Sequence, residues 1–132
     1  AASNNDLDMF SEMRTAALLA KGIAGDASAM PAAMALRMAT YNGAVALGIS
    51  DDIGSLETGK YADITAVDLS SIEAQPIYHP ISQLVYASSR SMVSDVWIAG
   101  KQVVKSGELT TLDHDQILAD SARWQANVRE QA

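Results

Sequence analysis

Few side chains in this sequence are of a type and spacing that could do chemistry. His79 and His114 are the only histidines, they stand 35 positions apart with neither an H-x-H nor an H-x-x-x-H spacing, and cysteine is absent. A metal site needs several convergent nitrogen, sulfur or oxygen donors. The sequence therefore predicts neither a metal site built from this chain alone nor a disulfide. His79 precedes Pro80 in an irregular stretch that Pro76 opens, and it reads as a structural or solvated loop histidine, with acid/base work as the alternative. His114 falls in the first turn of a C-terminal helix, where exposure to solvent is the ordinary explanation. Ser3 and Ser82 have no His/Asp pair adjacent in sequence, so nothing supports a serine triad. Lys60 and Asp63 invite reading as an ion pair or a catalytic lysine, but they flank a turn that enters a strand. No residue of the chain is expected to be catalytic. The remaining polar cluster is Ser3-Asn4-Asn5-Asp6. Asparagine caps helices well, at about 1 kcal/mol, which is the plain reading of Asn4 and Asn5. The functional reading makes Ser3 and Asn4 substrate-binding hydrogen-bond groups.

The elements that must position these residues follow from periodicity. Asn4 to Asp6 precede a helical apolar face at Leu7, Phe10, Met13 (or Arg14), Ala17 and Ala20, stopped by Gly22 or Gly25. A second helix should open at Pro31, whose fixed φ suits a first turn, with Asp26 or Ser28 as caps and with Ala33, Leu36, Met34, Met38 and Thr40 along it. At helical spacing the methionines read as ordinary core. Asn42-Gly43 predicts a break and a short third helix over 43–47, ending at Gly48. Beyond Gly59 the period falls to two, predicting strands over 63–68, 93–98 and 102–105, the last two joined as a hairpin through Ala99-Gly100-Lys101. Ile81 to Ser88 reads as a short helix between Pro80 and the second strand. Asp113 and Gln116 form a capping-box spacing for a last helix whose inner face is Ile117, Ser121, Trp124 and Val128. Burial of Trp97 or Trp124 is expected from these faces. Helices, strands and a final helix make an α+β chain.

Composition narrows the partners. With 132 residues, 48% hydrophobic and 19% charged, the chain is long enough for one core and too apolar for disorder. A formal charge of -7 with scattered lysines and arginines opposes a nucleic-acid partner. No apolar run approaches the ~20 residues of a membrane span, and the opening lacks a signal peptide's basic and apolar regions. A cytoplasmic protein without a membrane partner is the expectation.

One segment, Gly54-Ser55-Leu56-Glu57-Thr58-Gly59-Lys60-Tyr61-Ala62-Asp63 running on to Asp68, resembles the G-x-[IL]-x-x-G-K-x-A-D signature of the amidohydrolase superfamily. Upstream, Pro31 through Gly48 is similar to the ALxMATxNGAxALG helix pair of that superfamily. Downstream, His79-Pro80-Ile81-Ser82-Gln83-Leu84-Val85-Tyr86 and Val93 through Lys101 are similar to segments of the subgroup holding the 5-methylthioadenosine/S-adenosylhomocysteine deaminases and the triazine chlorohydrolases. The resemblance spans essentially the whole chain. At its start, Ser3-Asn4-Asn5 looks like the end of a T-D-G-x-x-S-N-N motif whose aspartate is a metal ligand in the family, and the T-D-G is absent here.

The resemblance implies an α/β parent, a (β/α)8 barrel with a small β-sandwich formed by both chain ends, of which this chain would be a C-terminal fragment. Residues 1–50 would then be the end of the barrel, its last helices, and 51–132 part of the sandwich with a terminal helix. It further implies a divalent metal in the parent, zinc in the usual case, that lowers the pKa of bound water so that hydroxide attacks an amino-bearing purine carbon. None would be bound by this fragment alone. Ser3 and Asn4, following the last barrel strand, would stand beside that centre, since barrel sites lie at the C-terminal ends of strands. The implied partners are the missing N-terminal part of the same protein and further copies in a homo-oligomer. A triazine chlorohydrolase or guanine-type deaminase is the alternative within the same mechanism, and a non-catalytic folding or dimerisation module the alternative outside it.

Overall fold

The computed structural model describes residues 5–130. In chain order it contains α1 (Met9–Ala24), α2 (Ala32–Ala39), α3 (Tyr41–Ala46), β1 (Ile64–Val67), α4 (Pro80–Ala87), β2 (Val93–Ile98), β3 (Lys101–Lys105), β4 (Glu108–Leu109) and α5 (His114–Glu130), with short 3-10 turns at Ile72–Ala74 and Arg90–Met92.

Helix α1 begins later than the asparagines suggest. Its cap is Asp8, whose carboxylate accepts from the amides of Phe10 and Ser11 at 2.9 and 3.4 Å. Leu7, counted in the apolar face by its spacing, therefore lies ahead of the helix and is exposed. Gly25, at φ 61°, ends the helix with its amide on the Lys21 carbonyl. Gly22 lies inside the helix.

Helices α1, α2 and α4 build the core, in which Met13, Ala17, Ala32, Ala35 and Val85 are buried and Phe10, Met30, Leu36, Ala39 and Tyr86 pack around them. Three of the five buried side chains are alanine, so the helices approach closely and the core gains little area per residue. The face of α2 is rotated from the expected one. Ala32 and Ala35 point inward, whereas Ala33 and Thr40 are exposed and Met34 and Met38 are 51% and 43% exposed. In a helix made almost entirely of apolar residues, periodicity alone does not single out one face. Pro31 takes the cap position without a side-chain hydrogen bond, and Asp26 binds the Ser28 amide and hydroxyl in its own loop instead. Asn42-Gly43 does not break the chain. The break falls at Thr40, and α3 runs through both residues.

The strands form one antiparallel sheet in the order β1-β2-β3-β4. Ile64 stands opposite Trp97, and Trp97 opposite Gln102. The turn between β2 and β3 is Ala99-Gly100, with φ values of 49° and 79°, and Ser106-Gly107 repeats the geometry at 50° and 81° before β4. Two successive residues at positive φ give the tight turn whose twist suits a hairpin. The second such turn makes β4, an element that two residues of strand pattern could not reveal. No residue of the four strands is buried, and Trp97 is half-buried.

Helix α5 starts where expected, with the Asp113 carboxylate accepting from the Gln116 amide at 3.0 Å. Its inner face does not form within the described residues. Trp124 and Val128 are 69% and 61% exposed, and no residue of α5 is buried. An apolar stripe specifies that something should cover it, not what.

Candidate functional site

The approach to α1 is where sequence places the substrate-facing groups. Ser3 and Asn4 lie outside the described residues, while Asn5 is exposed. With Asp8 as the cap, Asn5 has no capping role. Asp6 forms an ion pair with Arg90, 84 positions away, in the turn before β2. One helical turn inside α1, the Arg14 guanidinium donates from Nη2 to the Ser88 carbonyl at 2.5 Å. Ser88 is fully buried at the end of α4, and its hydroxyl donates to the Gln83 carbonyl at 3.0 Å. Two arginines thus join the start of α1 to the α4–β2 junction. Neither had a local signal in the sequence, because both partners are distant along the chain.

The glycine signature is a scaffold. Gly54 sits at φ 91°, and a Cβ there would lie 2.7 Å from the Ala44 Cβ and 3.1 Å from the Tyr41 Cα. Only glycine allows the loop to press against α3 this closely. Lys60 closes the same loop, donating from Nζ to the Ser50 carbonyl at 2.6 Å and to the Ser55 hydroxyl at 2.8 Å, above the Tyr41 ring. With its side chain 12% exposed and two hydrogen bonds donated to Ser50 and Ser55, Lys60 holds the loop together. The Ser55 hydroxyl, and after it the Lys60 ammonium, hold the Glu57 carboxyl below the ordinary glutamate range. Asp63 accepts the Ala99 amide at 2.7 Å, and the Gly100 amide donates to the Ala62 carbonyl at 3.0 Å, so the signature's end is pinned to the β2–β3 turn.

Between this loop, β1 and the helices opens a cleft of about 470 Å³ lined by Phe10, Met13, Leu36, Ile53, Ile64 and Leu84, among others. Its one carboxylate, Asp63, is already engaged with Ala99. The cleft is a receptive apolar surface without an acid–base pair.

The histidines do not come together with other donors. His79 is an exposed residue at the N-cap of α4, its carbonyl accepting from Gln83, and His114 is exposed beside Asp115 at 3.6 Å. Among the described residues no three His, Cys, Asp or Glu side chains are grouped to hold a metal ion. These residues do not fit a metal centre, so no metal chemistry can be routed through them. Among the same residues no helix is long and apolar enough to cross a membrane.

Residues 1–103 match the amidohydrolase family. The chain belongs to that family. Its amidohydrolase relatives include the 5-methylthioadenosine/S-adenosylhomocysteine deaminase of Teredinibacter turnerae, 53% identical over 124 residues, covering 94% of this chain and 28% of the relative. The protein of the same name from Saccharophagus degradans is 45% identical over 131 residues, covering 99% of this chain and 29% of the relative. Among solved structures, an adenosine deaminase from Xanthomonas campestris with bound zinc superposes at a TM-score of 0.94, with 54% identity over 98% of this chain and 29% of that one. An atrazine chlorohydrolase from Arthrobacter aurescens with zinc gives 0.77, with 26% identity over 86% of this chain and 25% of that one. This chain therefore spans 28% and 29% of the length of the two curated relatives.

Proposed function

We propose that this chain is the C-terminal part of a metal-dependent hydrolase that deaminates 5-methylthioadenosine or S-adenosylhomocysteine, breaking a C–N bond of an amino-purine and releasing ammonia. The observation that carries the reading is the gap between two comparisons. Identity is 53% to a relative bearing that name and 26% to a triazine-dechlorinating neighbour. Within the intact enzyme, residues 1–50, with α1, α2 and α3, close the end of the barrel, and residues 51–132 contribute to the β-sandwich and add the terminal helix. Ser3 and Asn4 serve in this reading as hydrogen-bond groups for substrate. The divalent metal, zinc in this reading, is held by residues upstream. The enzyme works in the cytoplasm as a homo-oligomer, with the exposed apolar faces covered by the N-terminal part and by further copies.

The test is a comparison of leaving groups in the intact protein. Ammonia should be released from 5-methylthioadenosine and S-adenosylhomocysteine at a kcat/KM at least a hundredfold above chloride release from atrazine. Chloride release as the faster reaction would move the protein to the dechlorinating branch. Asn4→Ala should lower kcat and kcat/KM together by about tenfold, or about 1.4 kcal/mol of transition-state stabilisation, and leave zinc content unchanged. Full turnover in that variant would remove Asn4 from the site.

A second reading, a non-catalytic folding or dimerisation module, is favoured by the lack of any donor cluster among the described residues. It predicts, as does the first, that the chain alone retains no stoichiometric zinc after dialysis. One metal per chain that disappears in His79→Ala would contradict both.

A further inference from the structure

We draw no further inference here: the strongest candidate, the apolar face that Ile117, Trp124 and Val128 form along α5, belongs to a chain spanning 28% and 29% of the length of its two curated relatives, and nothing in the structure shows what covers it.

Discussion

The helical cluster and the last helix carry similar apolar stripes and end in opposite conditions. In α1, α2 and α4, inward side chains find one another, and Ala17 and Val85 are completely buried. In α5 no side chain of the stripe is buried among the described residues, and Trp124 remains 69% exposed. The difference lies in reach. The cluster closes over itself because small alanines let three helices approach and because Arg14 and Lys21 tie their ends to the Ser88 carbonyl and to the carbonyls of Ala29 and Met30. Helix α5 leaves the sheet edge after β4, and its hydrogen bonds are local, from the Gln116 amide to Asp113 and from the Gln116 and Arg123 side chains to Asp120. An amphipathic helix is thus evidence of a buried face only once a partner surface has been identified.

The comparison can be broken most directly in the core. Met13→Ala should destabilise the protein by about 3 kcal/mol, through lost transfer energy and the cavity left behind, read from the denaturant midpoint. A loss below about 1 kcal/mol would mean that the cluster tolerates collapse and is no firmer than α5. Gly54→Ala should cost about 2 kcal/mol, since the new methyl both forces a positive φ on alanine and meets the Ala44 Cβ at 2.7 Å. Thermal melting is the measurement, and an unchanged melting temperature would refute the close approach of the loop to α3. Trp124→Ala in this chain alone should change stability by less than about 0.5 kcal/mol, as for a surface position. A larger loss would reveal a surface packed on α5.

The smallest effect sharpens the role of the signature loop. Because the Ser55 hydroxyl and Lys60 depress the Glu57 pKa, the ionised carboxylate favours the folded state above the ordinary glutamate range, and that contribution is lost as pH falls through the depressed value. Ser55→Ala should move the Glu57 titration upward, measured by the carboxyl carbon shift in NMR. A titration that stays in place would mean that the hydroxyl is not its partner.

Much of the local structure was legible in the sequence. The change of period after Gly59 located the sheet, and β2 was given residue for residue. Asp113 and Gln116 announced α5, and of the two glycines offered as the end of α1, Gly25 is the one that ends it. What failed locally was a competition between similar signals. The run Asn4-Asn5-Asp6 pointed to a cap there, and the cap is Asp8, two residues further on. All of α2 but Arg37 is apolar, so its face could not be chosen by pattern.

The candidate site was less legible for a different reason. The resemblance carried by Pro31 to Gly48 and Gly54 to Asp68 led to the amidohydrolase family, and the family match over residues 1–103 agrees. Lys60 and Asp63 spend their hydrogen bonds on Ser50, Ser55 and Ala99. The sequence by itself determined most of the elements, the family, and that only two histidines and no cysteine are present, because propensity, turn chemistry and residue type are properties of short segments. Only the tertiary structure decided which face of α2 is core, why Gly54 must be glycine, and that Arg90 meets Asp6. Those facts depend on chain segments far apart in sequence and adjacent in space, a relation that no local pattern encodes.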